Sequence, residues 1–249
     1  MGLGSTGLSV TILGCSGTYA GAGGACSGYL VRGGGTTVWV DTGPGTLANL
    51  QQHVDITALD AVVVSHSHPD HWGELGVLRN ALKYGFQFEG MPIYSTSAVR
   101  ELVDIVCGDA SEPTFRWGIV ADGDRIAIGD LEFTFSETDH PVETLAMRIG
   151  ADGKSMLYSA DTGPEWSLEA LGFDADLALC EATLLVETEG TAPHLSARQA
   201  GISARDARVR ELVVTHFWPT SDPRRHEDEA AEAFGRRVGV ALPGKTFTA

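Results

Sequence analysis

The sequence predicts an α/β fold, on three observations. Short apolar strands alternate with helical stretches, several strands close on a histidine or an aspartate, and 249 residues with 43% hydrophobic content can bury a full core. A single domain, 1–249, is expected.

Taken in order, Leu8 to Leu13 reads as a strand that runs into the glycine-rich turn Gly14-Cys15-Ser16-Gly17-Thr18. Such a turn can offer backbone N–H groups to an anion, which makes Ser16, Gly17 and Thr18 candidate substrate-binding residues. Ser27 to Val31 and Thr36 to Val40 read as a hairpin across Arg32-Gly33-Gly34-Gly35, and Asp41-Thr42-Gly43 follows at once. Asp41 has two readings. It can accept the second ring N–H of a metal-binding histidine, or it can be a turn residue bonded to its own loop.

The next strand, Val62 to Val64, delivers Ser65-His66-Ser67-His68-Pro69-Asp70-His71-Trp72-Gly73. Pro69 and Gly73 disfavour a regular helix here, so the cluster is expected on a loop at the strand end. Imidazole and carboxylate together suit zinc first, with manganese and iron also fitting. Three histidines and an aspartate within six residues exceed what one metal can use once other segments contribute, so two metal ions are expected.

Beyond it, Glu74 to Tyr84 and Ser97 to Cys107 read as helices around a strand at Pro92 to Ser95, with Val99, Leu102, Val103 and Val106 on one apolar face. Hairpins follow at Ile126 to Phe135 and Met147 to Ala160; they end near Asp139-His140 and at Asp161. Leu177 to Cys180 is a strand leading into Glu181-Ala182-Thr183, and His194 to Ala200 opens a helix. Leu212 to Thr215 is a strand that ends at His216, and Glu227 to Arg237 is an amphipathic helix. His53 and His226 lack any such context and read as surface histidines.

Composition narrows the function. A net charge of −16 and a pI near 4.7 oppose a stable nucleic-acid partner, and the arginines at 205, 208, 210, 224, 225, 236 and 237 are interleaved with acids or lie beside them. Cys15, Cys26, Cys107 and Cys180 are scattered, which argues against a disulfide scaffold or a zinc knuckle. Met1 to Ser9 carry neither a basic region nor an apolar run, and no segment approaches the roughly 20 apolar residues of a membrane span. A cytoplasmic protein with no membrane partner is the expectation.

The cluster His66-x-His68-x-Asp70-His71 resembles the signature of the metallo-β-lactamase superfamily. From Val10 to Phe247 the chain is similar to its ribonuclease Z-like and bacterial cyclic-nucleotide phosphodiesterase branch. Gly14-Cys15-Ser16-Gly17, Asp41-Thr42-Gly43-Pro44-Gly45-Thr46, His140-Pro141-Val142-Glu143-Thr144, Ser159-Ala160-Asp161-Thr162-Gly163, Glu181-Ala182-Thr183 and His194-Leu195-Ser196-Ala197-Arg198-Gln199-Ala200 carry that resemblance. It implies a four-layer αββα metallo-β-lactamase sandwich. It also implies one metal at His66, His68 and His140, a second at Asp70, His71 and His216, and Asp161 bridging the two. A metal-bridging hydroxide would hydrolyse a small phosphodiester, and a homodimer is implied as well.

His194 lies in the segment that resembles the branch's further histidine motif and is left over once the metal sites are filled, so it is expected to protonate or stabilise the leaving oxygen, with Ser196 placed to hold its ring and join the substrate site. The other reading is a helix-start histidine that serves only as a cap. Asp70 would orient the nucleophile or serve only as ligand, the ligand role being favoured. Two departures matter. Ribonuclease Z carries a long tRNA-gripping arm where His140 and Asp161 are here joined by little more than a hairpin, and it has a histidine where Cys180 stands. Both point from tRNA processing toward 3′,5′-cyclic nucleotides. The alternatives are a ribonuclease Z-like endonuclease, a lactonase, thioesterase or β-lactamase type of hydrolase, and a metal-binding module without turnover.

Overall fold

Parallel strands buried on both faces organise the molecule, and the run Ala61-Val62-Val63 shows why. Val62 faces one apolar layer and Val63 another, so alternate side chains of one short strand stabilise two separate cores. The computed structural model describes residues 6–108 and 110–249.

Strands β1 (Thr6–Gly14), β2 (Gly28–Gly34), β3 (Thr36–Val40), β4 (Ala61–Val63), β5 (Met91–Ser95) and β6 (Phe115–Ile119) form one sheet in sequence order. A second sheet follows from β7 (Arg125–Ile128), β8 (Leu131–Glu137), β9 (Leu145–Ala151), β10 (Lys154–Tyr158), β11 (Leu177–Glu181), β12 (Glu211–Thr215) and β13 (Gly239–Val240). The last strand, β14 (Thr246–Thr248), returns to pair antiparallel with β1, so each sheet has seven strands. Both sheets are mixed. β3 to β6 run parallel in the first, as do β10 to β13 in the second, and the remaining pairs are antiparallel.

Helices α1 (Thr46–Leu50), α2 (Pro69–Trp72), α3 (Leu75–Asn80) and α4 (Ser97–Cys107) cover the first sheet, burying Leu50, Leu75, Leu78, Val99 and Val103 against Trp39 and Val62. Helices α5 (Ala197–Asp206) and α6 (Pro223–Phe234) cover the second, where Ala200, Ala204 and Phe234 pack on Ala178, Cys180 and Val214. Gly201 lets those two helices touch: a Cβ there would stand 2.5 Å from the Ala230 carbonyl oxygen. Between the sheets lies the central core of Val10, Val38, Val63, Phe133, Met147 and Leu179. The whole is the four-layer αββα sandwich.

Several boundaries differ from the sequence reading. The helix expected over Glu74 to Tyr84 ends at Asn80 and continues as a π-helical stretch, Ala81–Phe86. Val106 is 63% exposed rather than core, because α4 presents Val99 and Val103 inward and Val106 lies off that line. The last helix starts at Pro223, capped by the Asp222 carboxylate on the Arg224 amide, and stops at Gly235 in the left-handed region. That earlier start buries His226 completely, which corrects its reading as a surface residue; His53 is exposed as expected. All four cysteines are free, and burial pushes the Cys15 and Cys180 thiols up to about 12.

Candidate metal centre

The carboxyl ends of parallel strands are where α/β sheets gather ligands, and both sheets present that edge to the same cleft. Asp41 follows β3, Ser65 and His66 follow β4, Asp161 follows β10, Glu181 ends β11 and His216 follows β12. The backbone at Asp41, Ala160 and His216 lies in the left-handed region, with φ of 53°, 49° and 62°. Such strain persists where surrounding structure over-determines it, and here it turns the chain sharply just past a strand end.

The strand-end cluster is not wholly a loop. Pro69 opens a single helical turn, α2, at the first position, where its missing N–H costs nothing, and Gly73 caps the turn. Asp70 and His71 therefore project from a helix, while His66 and His68 precede it.

Seven side chains converge in two groups. His66 Nε2 lies 3.2 Å from His68 Nδ1, which lies 3.0 Å from His140 Nε2, with Asp161 Oδ2 at 3.6 and 3.9 Å from His66 and His140. In the second group, His71 Nε2 and His216 Nε2 stand 3.3 Å apart, and each is 3.3 Å from Asp161 Oδ1. Asp70 Oδ2 lies 3.7 Å from His71 and 3.4 Å from His216. Donor atoms around a tetrahedral ion at 2.0–2.1 Å are separated by about 3.3–3.4 Å, so both groups have the edge lengths of a coordination shell. Asp161 Oδ1 is buried with no hydrogen-bond partner, and an orphaned buried carboxylate oxygen among imidazole nitrogens is an environment that a bound cation would satisfy. The residues fit two divalent ions with Asp161 between them.

Three of the five histidines are also held from behind by a short side-chain contact. Ser65 Oγ lies 2.9 Å from His66 Nδ1, Asp41 Oδ2 lies 2.8 Å from His71 Nδ1, and Thr183 Oγ1 lies 2.8 Å from His216 Nδ1. Such contacts fix the tautomer and free the other nitrogen for metal. Asp41 thus takes the histidine-holding role, and it also accepts the Ser65 amide and the hydroxyls of Ser65 and Tyr158. Burial, with neighbouring imidazoles, pushes His66 well below its ordinary value; burial also lowers His68 and His140. Neutral rings are the form that binds metal.

His194 lies beside both groups, its ring centroid 5.4 Å from that of His140 and 5.3 Å from that of His216. A ring nitrogen of His194 is also within 4.8 Å of ligand atoms of Asp161 and His216. Glu181 Oε1 holds its Nδ1 at 2.9 Å, a role that sequence reasoning missed because Glu181 was legible only as part of a motif. Burial would lower this histidine, but the Glu181 carboxylate and then Asp161 outweigh it and raise the ring to about 9. Ser196 does not hold the ring. It is buried as the N-cap of α5, where its hydroxyl accepts the Gln199 amide and donates to Glu189.

The Gly14 to Thr18 turn also differs from expectation. The Ser16 amide donates to the Ala25 carbonyl, Gly17 to the Phe217 carbonyl, and Thr18 to Asp70 Oδ2 at 2.7 Å. Those N–H groups are committed, so the turn is no anion cradle; it braces Asp70. Cys180 points into the helix-side core, and the adjoining Glu181 side chain is the one that reaches the site.

A family model described as "Beta-lactamase superfamily domain" matches residues 36–217. The chain is 33% identical to the probable metallo-hydrolase YhfI of Bacillus subtilis over 243 residues, 95% of this chain and 98% of that protein. The crystal structure of YhfI superposes with a TM-score of 0.91 at 29% identity, covering 98% of this chain and all of that one. Ribonuclease Z of Mycobacterium bovis is 29% identical over 272 residues, 94% of this chain and 95% of its own. Unliganded yeast PDE1 shares the fold, with a TM-score of 0.80 at 14% identity over 98% of this chain and 99% of that one.

Proposed function

The chain belongs to the metallo-β-lactamase superfamily as a probable metal-dependent hydrolase, and on that premise we propose that it hydrolyses small phosphodiesters, 3′,5′-cyclic nucleotides first among them. The observation that carries this reading is the pairing of two ligand groups, joined by Asp161, with a glutamate-held histidine beside both. Zinc suits the donor set, and manganese or iron would also fit it.

Two bound divalent ions supply an activated water and neutralise charge on a phosphoryl group. His66, His68 and His140 would hold one, Asp70, His71 and His216 the other, and Asp161 both. Asp70 serves as a ligand whose Oδ2 is steadied by the Thr18 amide. His194, kept protonated by Glu181, delivers a proton to the departing ribose oxygen, which would otherwise leave as a poor alkoxide. Thr183, also held by Glu181, keeps His216 aligned, so one carboxylate orders both the acid and a ligand.

A small substrate suits the surroundings better than RNA. His140 and Asp161 are connected through β9 and β10 alone, with no arm between them. Arg205, Arg208, Arg210 and Arg225 are each paired with a carboxylate, so they offer no continuous basic face. Likeness to ribonuclease Z keeps an endonuclease as the second reading. A panel of cyclic mononucleotides, cyclic dinucleotides and tRNA precursors under zinc and manganese decides between them. Turnover of a cyclic nucleotide with little precursor cleavage is expected; efficient 3′-end cleavage with no cyclic-nucleotide activity reverses the order.

A further inference from the structure

Two tyrosines cross between the sheets behind the metal centre, in opposite directions. Tyr29 stands on β2 of the first sheet, and its hydroxyl lies 2.9 Å from Thr215 Oγ1 at the end of β12 in the second. Tyr158 ends β10 of the second sheet, and its hydroxyl donates to Asp41 Oδ2 of the first at 2.6 Å. The two rings meet edge to face with centroids 5.1 Å apart. Tyr29, Tyr158, Asp41 and Thr215 are all buried.

Each tyrosine ends on a residue that governs one histidine of the same ligand group. Asp41 holds His71 Nδ1, and Thr215 directly precedes His216. Those two histidines hang from different sheets, yet their Nε2 atoms stand 3.3 Å apart. Apolar contact between sheets is non-directional and tolerates small sliding, whereas a short hydrogen bond has one favoured length and angle. Asp41 reaches His66 only through Ser65, one hydrogen bond further away. The other group also draws on both sheets, through His68 and His140, but none of its histidines is held directly by Asp41 or adjoins Thr215.

We infer that Tyr29 and Tyr158 form a clasp that sets the spacing of His71 and His216, and with it the metal affinity of the Asp70, His71, His216 and Asp161 position. They are positioning residues, since neither touches a ligand atom. Replacing either hydroxyl leaves a buried polar atom, Thr215 Oγ1 or Asp41 Oδ2, short of a partner and frees the sheet edges to drift at this position. The inference rests on the two-metal reading and not on the choice of substrate.

Tyr29→Phe and Tyr158→Phe each remove one oxygen and keep the ring. Metal-loaded protein is titrated with a chromogenic zinc chelator, and the cobalt(II)-substituted form is followed by its ligand-field spectrum. His68→Ala and His216→Ala assign the two release steps, each erasing one. In either tyrosine variant, the step erased by His216→Ala should weaken at least ten-fold with a shifted cobalt spectrum, while the other stays within about two-fold. A smaller loss at that step, or equal losses at both, overturns the clasp. A parent protein that holds a single equivalent would instead remove the two-metal reading beneath it, and no substrate enters the measurement.

Discussion

Glu181 and His194 are 2.9 Å apart, carboxylate oxygen to Nδ1, and nearly every other lone pair of that carboxylate is already committed. Oε1 also accepts the Thr162 amide at 2.7 Å, and Oε2 accepts the amide and hydroxyl of Thr183. A carboxylate fixed on both oxygens fixes the ring it holds, so His194 faces the candidate metal centre with its orientation imposed from behind.

His194→Ala should therefore separate substrates by leaving group. General acid catalysis is worth roughly 10²–10⁴ where the leaving group is poor, and far less for a nitrophenolate. Expected is a loss of that order on a cyclic nucleotide, a much smaller loss on bis(p-nitrophenyl) phosphate, and retention of both metals. Equal losses on the two substrates would remove the proton-donor role. Glu181→Gln takes away the charge that raises the ring, so the alkaline limb of the rate profile should move to lower pH.

Gly17 makes an equally sharp test of the other side of the site. A Cβ at this position would stand 2.8 Å from both Cε1 and Nδ1 of His216, and 3.0 Å from its carbonyl oxygen. The ring is packed and hydrogen-bonded to Thr183, so it can give way only by losing its alignment. Gly17→Ala should bind the second metal equivalent at least ten-fold more weakly, as read by chelator competition, with thermal stability of the metal-free protein little changed. Unaltered metal affinity would mean that the turn, rather than the ring, yields.

The candidate ligands were legible because metal chemistry restricts residue type and because strand ends announce themselves by apolar runs that stop at a polar residue. His66, His68, Asp70, His71, His140, Asp161 and His216 all come together. What sequence could not supply was which loops meet. Glu181 and His194 are 13 positions apart and join only when β11 and the α5 entry pack side by side. The strand β6 was missed because it lies at the sheet edge and alternates weakly, its five residues ranging from buried Phe115 to exposed Ile119. The committed amides of the Gly14 to Thr18 turn were equally hidden, since their acceptors Ala25, Phe217 and Asp70 come from distant segments.

His226 shows how a misplaced helix start changes a prediction about pH. With Pro223 as the first residue of α6, the ring turns inward, packs on Phe217 with centroids 4.7 Å apart, and places Nε2 2.5 Å from Ser221 Oγ. Burial, the dominant cause, lowers it to about 4 against an ordinary 6.5. The unfolded chain therefore binds the extra proton first, between pH 6.5 and 4, and stability falls as pH drops through that window. A shift of this size corresponds to about 3 kcal/mol once both states are protonated. His226→Gln removes the titrating group, so it should flatten the acid decline of urea-unfolding free energy between those pH values while costing about 1 kcal/mol near neutrality for the altered Ser221 contact. Parent and variant are compared under one metal condition, so that the acid slope from the ligand histidines, which is common to both, cancels in the difference. An identical decline in parent and variant would mean that another buried group carries the acid sensitivity.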